Sequence, residues 1–338
     1  MSNQTAYSIL ELAVVSEGVS FKQTLNNSLE LAKVAEAHHF KRFWLAEHHN
    51  TPGIASSATS VIIGYIAENT NSIRVGSGGI MLPNHSPLIV AEQFGTLAQL
   101  YPSRIDLGLG RAAGTDAVTA KAIRSDYLQA AHSFSKEIAG IEKYFSVANS
   151  ESNVRVPVAE GVEVPIYILG SSTDSAFLAA EKGLPYAFAS HFASTHLYNA
   201  LNIYVSNFRP SKAFSAPYTI AGANVIIAET DEIAERNFTS LIRMFYNGLV
   251  GNHLPLQPPV DFDDHLQQLF QHPAIYQMLR FSFVGTKEKV KKQIREFLSE
   301  TKVNELITVS TMFHFEDRVK SNIAFAEIMK ELNEEAGL

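Results

Sequence analysis

The 338 residues predict a (β/α)8 barrel on three observations: short apolar runs alternate with longer helical segments, eight such runs can be counted, and no linker divides the chain. A β-branched run followed by a segment of helical period makes one βα unit, and its repetition builds a parallel sheet. Candidate strands fall at 8–15, 42–46, 73–79, 105–109, 165–169, 186–190, 218–228 and 305–310. Helical segments at 24–37, 87–100, 174–182 and 287–299 lie between them, most opening on a polar residue or proline suited to a helix start. Eight strands favour a closed barrel; a doubly wound open sheet gives the same alternation with about five to seven and is the alternative.

No linker, low-complexity tract or short repeat divides the chain, so 1–338 reads as one domain. Two connections, 110–164 and 229–304, are longer than a simple crossover needs. The second contains GNHLPLQPPVDFDD, where prolines and acids interrupt the helical pattern. It reads as an insertion before strand eight, a mobile lid over 250–264 reaching to about 280, with an inert surface excursion as the competing reading.

A chain without cysteine has no disulfide, thiolate nucleophile or cysteine-based zinc site, and a reducing cytoplasm is the expected compartment. The opening MSNQTAYSILEL lacks the basic and long apolar regions of a secretory signal. The apolar patch at 61–67 is far shorter than the roughly 20 residues that span a bilayer. Net charge is -7 with dispersed Lys and Arg, which offers no footprint for nucleic acid or an anionic membrane. Small-molecule chemistry is what remains.

In a barrel the reactive groups belong on the loops after the strands. Strand two runs into Glu47, His48 and His49, placing imidazoles at the mouth where they can exchange protons near neutral pH. Structural hydrogen bonding and metal ligation compete with that reading, although adjacent His48 and His49 point to different sides of an extended segment. Strand three ends in Gly76, Ser77, Gly78 and Gly79, where missing side chains leave room for a flat ring or make a bulge. Arg111, at the exit of strand four, reads as a fork aimed at a phosphate or as a surface ion pair. Gly108, Gly110 and Ala113 fit a G-x-G-x-x-A dinucleotide pattern, but three βα units precede them and no acidic strand end follows. Gly170, Ser171 and Ser172 lead into a helix, a setting that suits a phosphate and also simple capping. Strand six ends in Ser190 and His191.

WLAEHHN at 44–50, GSGGIMLPNHSPLIVAEQFGTL at 76–97, LGLGRAAGTD at 107–116 and GLPYAFASHFA at 183–193 resemble the bacterial luciferase-like monooxygenase family, in its FMN-linked branch. The likeness runs from Ser8 to the STMFHFEDR segment at 310–318. It implies a TIM-type barrel, usually dimeric, with FMN in the strand-end mouth. By similarity Arg111, Gly170, Ser171 and Ser172 hold the flavin phosphate, Ser77, Gly78 and Gly79 back the ring with a non-prolyl cis peptide, and Ser190 joins the cofactor contacts. His48 matches the histidine proposed as a catalytic base, with Glu47, His49 and His191 as supporting or substrate contacts. Gly110 stands where the light-emitting luciferase subunit carries a reactive cysteine, which argues against luciferase as the chemical model.

The activity implied is a monooxygenase using reduced FMN and O2 on a small organic substrate, with NAD(P)H acting through a separate flavin reductase. No metal is expected. The alternatives are a deazaflavin- or nicotinamide-linked dehydrogenase on the same barrel, and a non-catalytic flavin-binding protein.

Overall fold

The computed structural model describes residues 4–337. The chain opens with β1 (Ala6–Glu11), α1 (Phe21–Ala37), β2 (Arg42–Leu45), α2 (Thr59–Glu68), β3 (Arg74–Met81), α3 (Pro87–Leu100) and β4 (Ile105–Gly110). Three helices fill the first long connection, α4 (Ala117–Ile123), α5 (Tyr127–His132) and α6 (Phe134–Phe145), before β5 (Ile166–Gly170), α7 (Thr173–Lys182), β6 (Tyr186–Phe188), α8 (Leu197–Asn207) and β7 (Thr219–Ile227). The second connection holds α9 (Asp231–Leu249), α10 (Asp264–Gln271), α11 (Pro273–Met278), β8 (Ser282–Gly285) and α12 (Lys287–Thr301); β9 (Glu305–Val309) and α13 (Phe315–Ala336) follow.

Parallel pairing runs in order from β1 to β7, β7 pairs with β9, and β9 returns to β1. That closes an eight-stranded barrel, the fold expected from the alternation. The one strand unforeseen is β8, SFVG. It lies outside the barrel on Asn224–Ile227, where β7 runs on past its pairing with β9. Four residues between two helical stretches give too little period to register as a strand. The expected 8–15 strand also leaves the barrel early: Ala13 turns to φ 51°, and Val14 then pairs antiparallel with Ile54.

Alternation along each strand sorts the side chains. Leu10, Trp44, Ala46, Tyr167, Ala187, Ile220, Ile307 and Val309 point inward and pack together. Their neighbours Ile9, Phe43, Leu45, Val75, Leu107, Ile168 and Leu306 face outward under the helices. At the amino-terminal end the interior is charged. Arg42, 1% exposed, donates to Glu305 at 2.8 Å and to Asp106 at 2.6 Å. Asp106 also accepts from Trp44 Nε1 at 3.0 Å and Arg74 Nε at 2.9 Å, while Glu305 accepts from Tyr218 at 2.7 Å. Every buried charge there has a partner of opposite sign, which is the condition for tolerating it. Outside the barrel, the fully buried Glu11 accepts from Ser28 of α1 and pairs with Arg318 of α13, tying the first helix to the last.

Candidate active site

The carboxyl ends of the strands form the mouth, and small inward residues there make room for larger neighbouring side chains. Ala46, Gly78 and Gly222 continue the inward parity of β2, β3 and β7 above Trp44, Gly76 and Ile220. His48 extends the same inward series of β2, and its amide is fixed by the Ser56 carbonyl at 3.0 Å. Its Nδ1 is sealed from solvent with no protein partner. Burial holds the imidazole below its ordinary pKa, against a partly compensating pull from the Glu47 charge.

His191 comes from the loop after β6, yet its ring lies inside the barrel. A Cβ built on inward-facing Gly222 would meet His191 Nδ1 at 2.5 Å, so the ring occupies the volume that Gly222 vacates. The Asn224 side chain, two residues farther along β7, donates to the His191 carbonyl at 2.7 Å and anchors the loop. Phe192 packs edge-on at 4.9 Å between ring centroids. His191 is 8% exposed and its Nδ1 also lacks a partner. Burial, and then the nearby His48, push its pKa down to about 3. Both imidazoles are therefore uncharged at neutral pH.

Glu47 faces away from them and organises the loops. Fully buried, its Oε1 accepts from His49 Nε2 and His85 Nε2, each at 2.8 Å, and from Asn84 Nδ2 at 3.3 Å; its Oε2 accepts from the Met81 amide at 3.0 Å. Burial alone would raise its pKa, but the His49 and His85 hydrogen bonds, with that of Met81, outweigh it and hold the group at about 2. Glu47 is a fixed anion that joins the exits of β2 and β3. His85 and Asn84 were not singled out from sequence; the available signal was a polar Asn-His turn directly after the apolar end of strand three. Among the described residues, no group of three or more His, Cys, Asp or Glu side chains is arranged to hold a metal ion.

On the opposite rim, the ladder pairs Gly110 with Leu169, so Arg111 and Gly170 leave the sheet side by side. Arg111 is exposed and has no ion-pair or hydrogen-bond partner among the described residues. Ser172 caps α7, its hydroxyl accepting from Ser175 N at 3.4 Å, and Ser171 precedes it at the rim. Gly170 owes its identity to Ser175, whose Oγ would lie 2.1 Å from an added Cβ.

The glycine run has both features read from it: the β3–β4 register shifts between Ser77 and Ile80, and the Gly78–Gly79 peptide is cis. Ser77 fills the break in the ladder, its hydroxyl donating to Gly108 O at 2.9 Å and accepting from Gly108 N at 3.0 Å. A Cβ on Gly78 would strike Leu10 at 2.7 Å and Trp44 at 2.9 Å, so the interior packing itself excludes a side chain there. At Gly110 a Cβ would come 2.9 Å from Met81 Sδ, so a larger residue there would have to displace the flexible end of that side chain. Ser190 is fully buried and donates to the Gly222 carbonyl at 2.6 Å, linking β6 to β7.

The excursion lies close over these loops. Leu256 donates to Val15 O and accepts from Glu17 N, both at 2.8 Å, while Val15 donates to Gly53 O at 2.9 Å. A Cβ on Gly53 would lie 2.6 Å from Leu254 O. The loops after β1 and β2 and the segment 254–256 thus form one hydrogen-bonded patch beside the mouth.

Comparison with known proteins places the fold in a family. A family model described as luciferase-like monooxygenase matches residues 6–305. A luciferase-like monooxygenase of Escherichia coli (strain K12) is 43% identical over 333 residues, 98% of this chain and 99% of that protein. The crystal structure of apo-MsnO8 superposes with a TM-score of 0.88 at 31% identity, covering 97% of this chain and 99% of the other. The oxygenating constituent of 3,6-diketocamphane monooxygenase from Pseudomonas putida, a type II Baeyer-Villiger monooxygenase in complex with FMN, has the same fold at a TM-score of 0.68 and 14% identity, covering 96% and 97%. With a family model that spans most of its length and relatives this similar, the chain belongs to the luciferase-like monooxygenase family.

Proposed function

We propose that this protein is an FMN-dependent monooxygenase acting on a small organic substrate. The observation that carries the reading is Arg111, an unpaired guanidinium beside Gly170, Ser171 and Ser172 at the start of α7. That donor set suits one phosphomonoester: a planar fork, two hydroxyls and the amino-terminal end of a helix. The inward-lying rings of His48 and His191, neither of which has a hydrogen-bond partner among the described residues, fit a mouth built to surround a polar ligand. The chemistry supplied by reduced FMN, when bound, is activation of O2 for transfer of one oxygen atom.

The residues of this chain have the remaining tasks. Arg111, Ser171 and Ser172 bind the phosphate. The Ser77–Gly79 segment, held by Trp44 and Gly108, gives the ring a rigid wall. His48 exchanges a proton at Nε2 as catalytic group, and His191 contacts the substrate. Glu47, with His49 and His85, fixes the loop that carries His48. The patch at 254–256 limits water at the mouth. Reduced FMN comes from a separate NAD(P)H-dependent reductase in this reading, and the working form is a homodimer.

Titration of flavins by fluorescence quenching tests the cofactor assignment. Losing a charge-assisted phosphate contact worth about 1.5–3 kcal/mol makes Arg111→Met bind FMN roughly 10- to 150-fold more weakly. Riboflavin, which has no phosphate, binds the variant and the wild type within about twofold. Equal losses for the two flavins, or none, refute the phosphate site. Turnover under anaerobic conditions without oxygen demand replaces the monooxygenase with a dehydrogenase.

A further inference from the structure

The buried histidine pair also defines what the mouth recognises, on the reading that this mouth is the active site. We propose that His48 and His191 form a paired N–H donor site that selects organic substrates bearing a carboxylate or carbonyl oxygen and discriminates against amines.

The geometry comes first. His48 continues the inward series of Trp44 and Ala46, and the His191 ring fills the space over inward-facing Gly222. The two rings therefore enter one interior from β2 and β6. Each Nδ1 is sealed away without a partner, whereas neither Nε2 is bonded to a described residue or sealed from solvent. A proton on Nδ1 would be a donor facing no acceptor. On Nε2 the same proton faces the mouth, where a ligand or water accepts it. Both rings thus offer Nε2–H, and burial keeps them uncharged.

The buried carboxylates of the barrel are already committed. Glu47, the carboxylate nearest the pair in sequence, spends both oxygens on Met81, Asn84, His49 and His85. Asp106 and Glu305 lie at the other end of the barrel, occupied by Arg42, Arg74, Trp44 and Tyr218. An ammonium between the two rings would lose its hydration without gaining any of these three carboxylates. An acceptor oxygen gains two donors over an apolar floor of Leu10, Trp44, Ile307 and Val309.

The test uses the full-length protein and its ring-nitrogen NMR spectrum, assigned with His48→Gln and His191→Gln. Carboxylates, methyl ketones and primary amines of four, eight and twelve carbons are titrated by calorimetry and by 15N shift. The expected result is Nε2–H tautomers for both rings, Nε2 shifts on adding a carboxylate or ketone, and at least tenfold weaker binding of the matched amine. His191→Phe removes a donor and loses that preference; His191→Gln retains an amide donor and keeps it, which separates recognition from misfolding. Nδ1–H tautomers, amines that bind as tightly as carboxylates, or no acceptor binding at any chain length overturn the proposal. FMN titration of the same samples keeps the two readings apart. Normal FMN affinity without the acceptor preference defeats this inference alone; the preference without FMN binding defeats the flavin assignment alone.

Discussion

Gly222→Ala puts one methyl group into the seat of His191. The new Cβ lies 2.5 Å from Nδ1, with Cγ and Cε1 at 3.4 and 3.5 Å, so the ring must retreat by roughly 1 Å to reach ordinary contact. It cannot take its backbone with it, because Asn224 holds the His191 carbonyl at 2.7 Å and Phe192 packs against the ring. The ring must rotate off its preferred rotamer toward the mouth. Overpacking of this kind costs about 1–3 kcal/mol. At roughly 2.1 cal/mol/K per residue, 338 residues unfold with an entropy near 0.7 kcal/mol/K, so ~2 kcal/mol lowers Tm by about 3 °C. Differential scanning calorimetry measures that shift, and the 15N signal of His191 reports the ring movement directly. A variant with both Tm and ring shifts unchanged would show that His191 does not sit over Gly222, and the paired-donor geometry would fall with it.

Three other outcomes follow from the same structure. Gly248→Ala lies in α9 with nothing within 4 Å of the new Cβ, so it raises stability by about 0.5–1 kcal/mol in urea unfolding; a loss would contradict the helical environment of Gly248. His191 has a folded pKa of about 3, below its ordinary unfolded value of about 6.5, so its contribution is complete above pH 6.5 and is lost as pH falls toward 3. Wild-type protein therefore loses up to about 2–3 kcal/mol between pH 6.5 and 4.5 that His191→Gln does not lose, and parallel urea profiles for the two proteins would refute this. Asp106→Asn leaves Arg42 and Arg74 short of a buried counter-charge and costs about 3–5 kcal/mol by urea unfolding, whereas a cost below 1 kcal/mol would mean that Glu305 alone satisfies Arg42.

The barrel was legible because its strands obey a period that needs only local sequence. Each of the eight candidate runs overlaps a barrel strand, whereas β8 had only four residues and escaped. The site was legible in part, for a different reason. Arg111 and Gly170 could be placed at neighbouring strand exits from sequence order alone, since parallel neighbours leave the sheet together. The partners of Glu47 could not be. Its donors come from the β2 exit, the end of β3 and the turn after it, and nothing local says that a buried carboxylate will collect them. The glycines were legible as open backbone but ambiguous in purpose. Gly78 makes way for Trp44, Gly170 for Ser175 and Gly222 for His191, and each reason is a side chain distant in sequence or seated by another element.

These glycines also distinguish the two ends of the barrel. At the amino-terminal end, Arg42, Asp106 and Glu305 fill the interior with charges that are fully paired, so the strands there are fixed in register by a network that tolerates no free partner. Toward the mouth the inward positions shrink to Ala46, Gly78 and Gly222, and the space above the Trp44 and Tyr167 pair, 4.9 Å apart edge to face, is shaped by groups that arrive from loops. Because His191 depends on Gly222 for room and on Asn224 for its anchor, its ring is positioned by β7 although the loop after β6 supplies it. Under the proposed assignments, substitutions at Gly222 or Asn224 change substrate recognition and spare FMN binding through Arg111, and substitutions at Arg111 do the reverse.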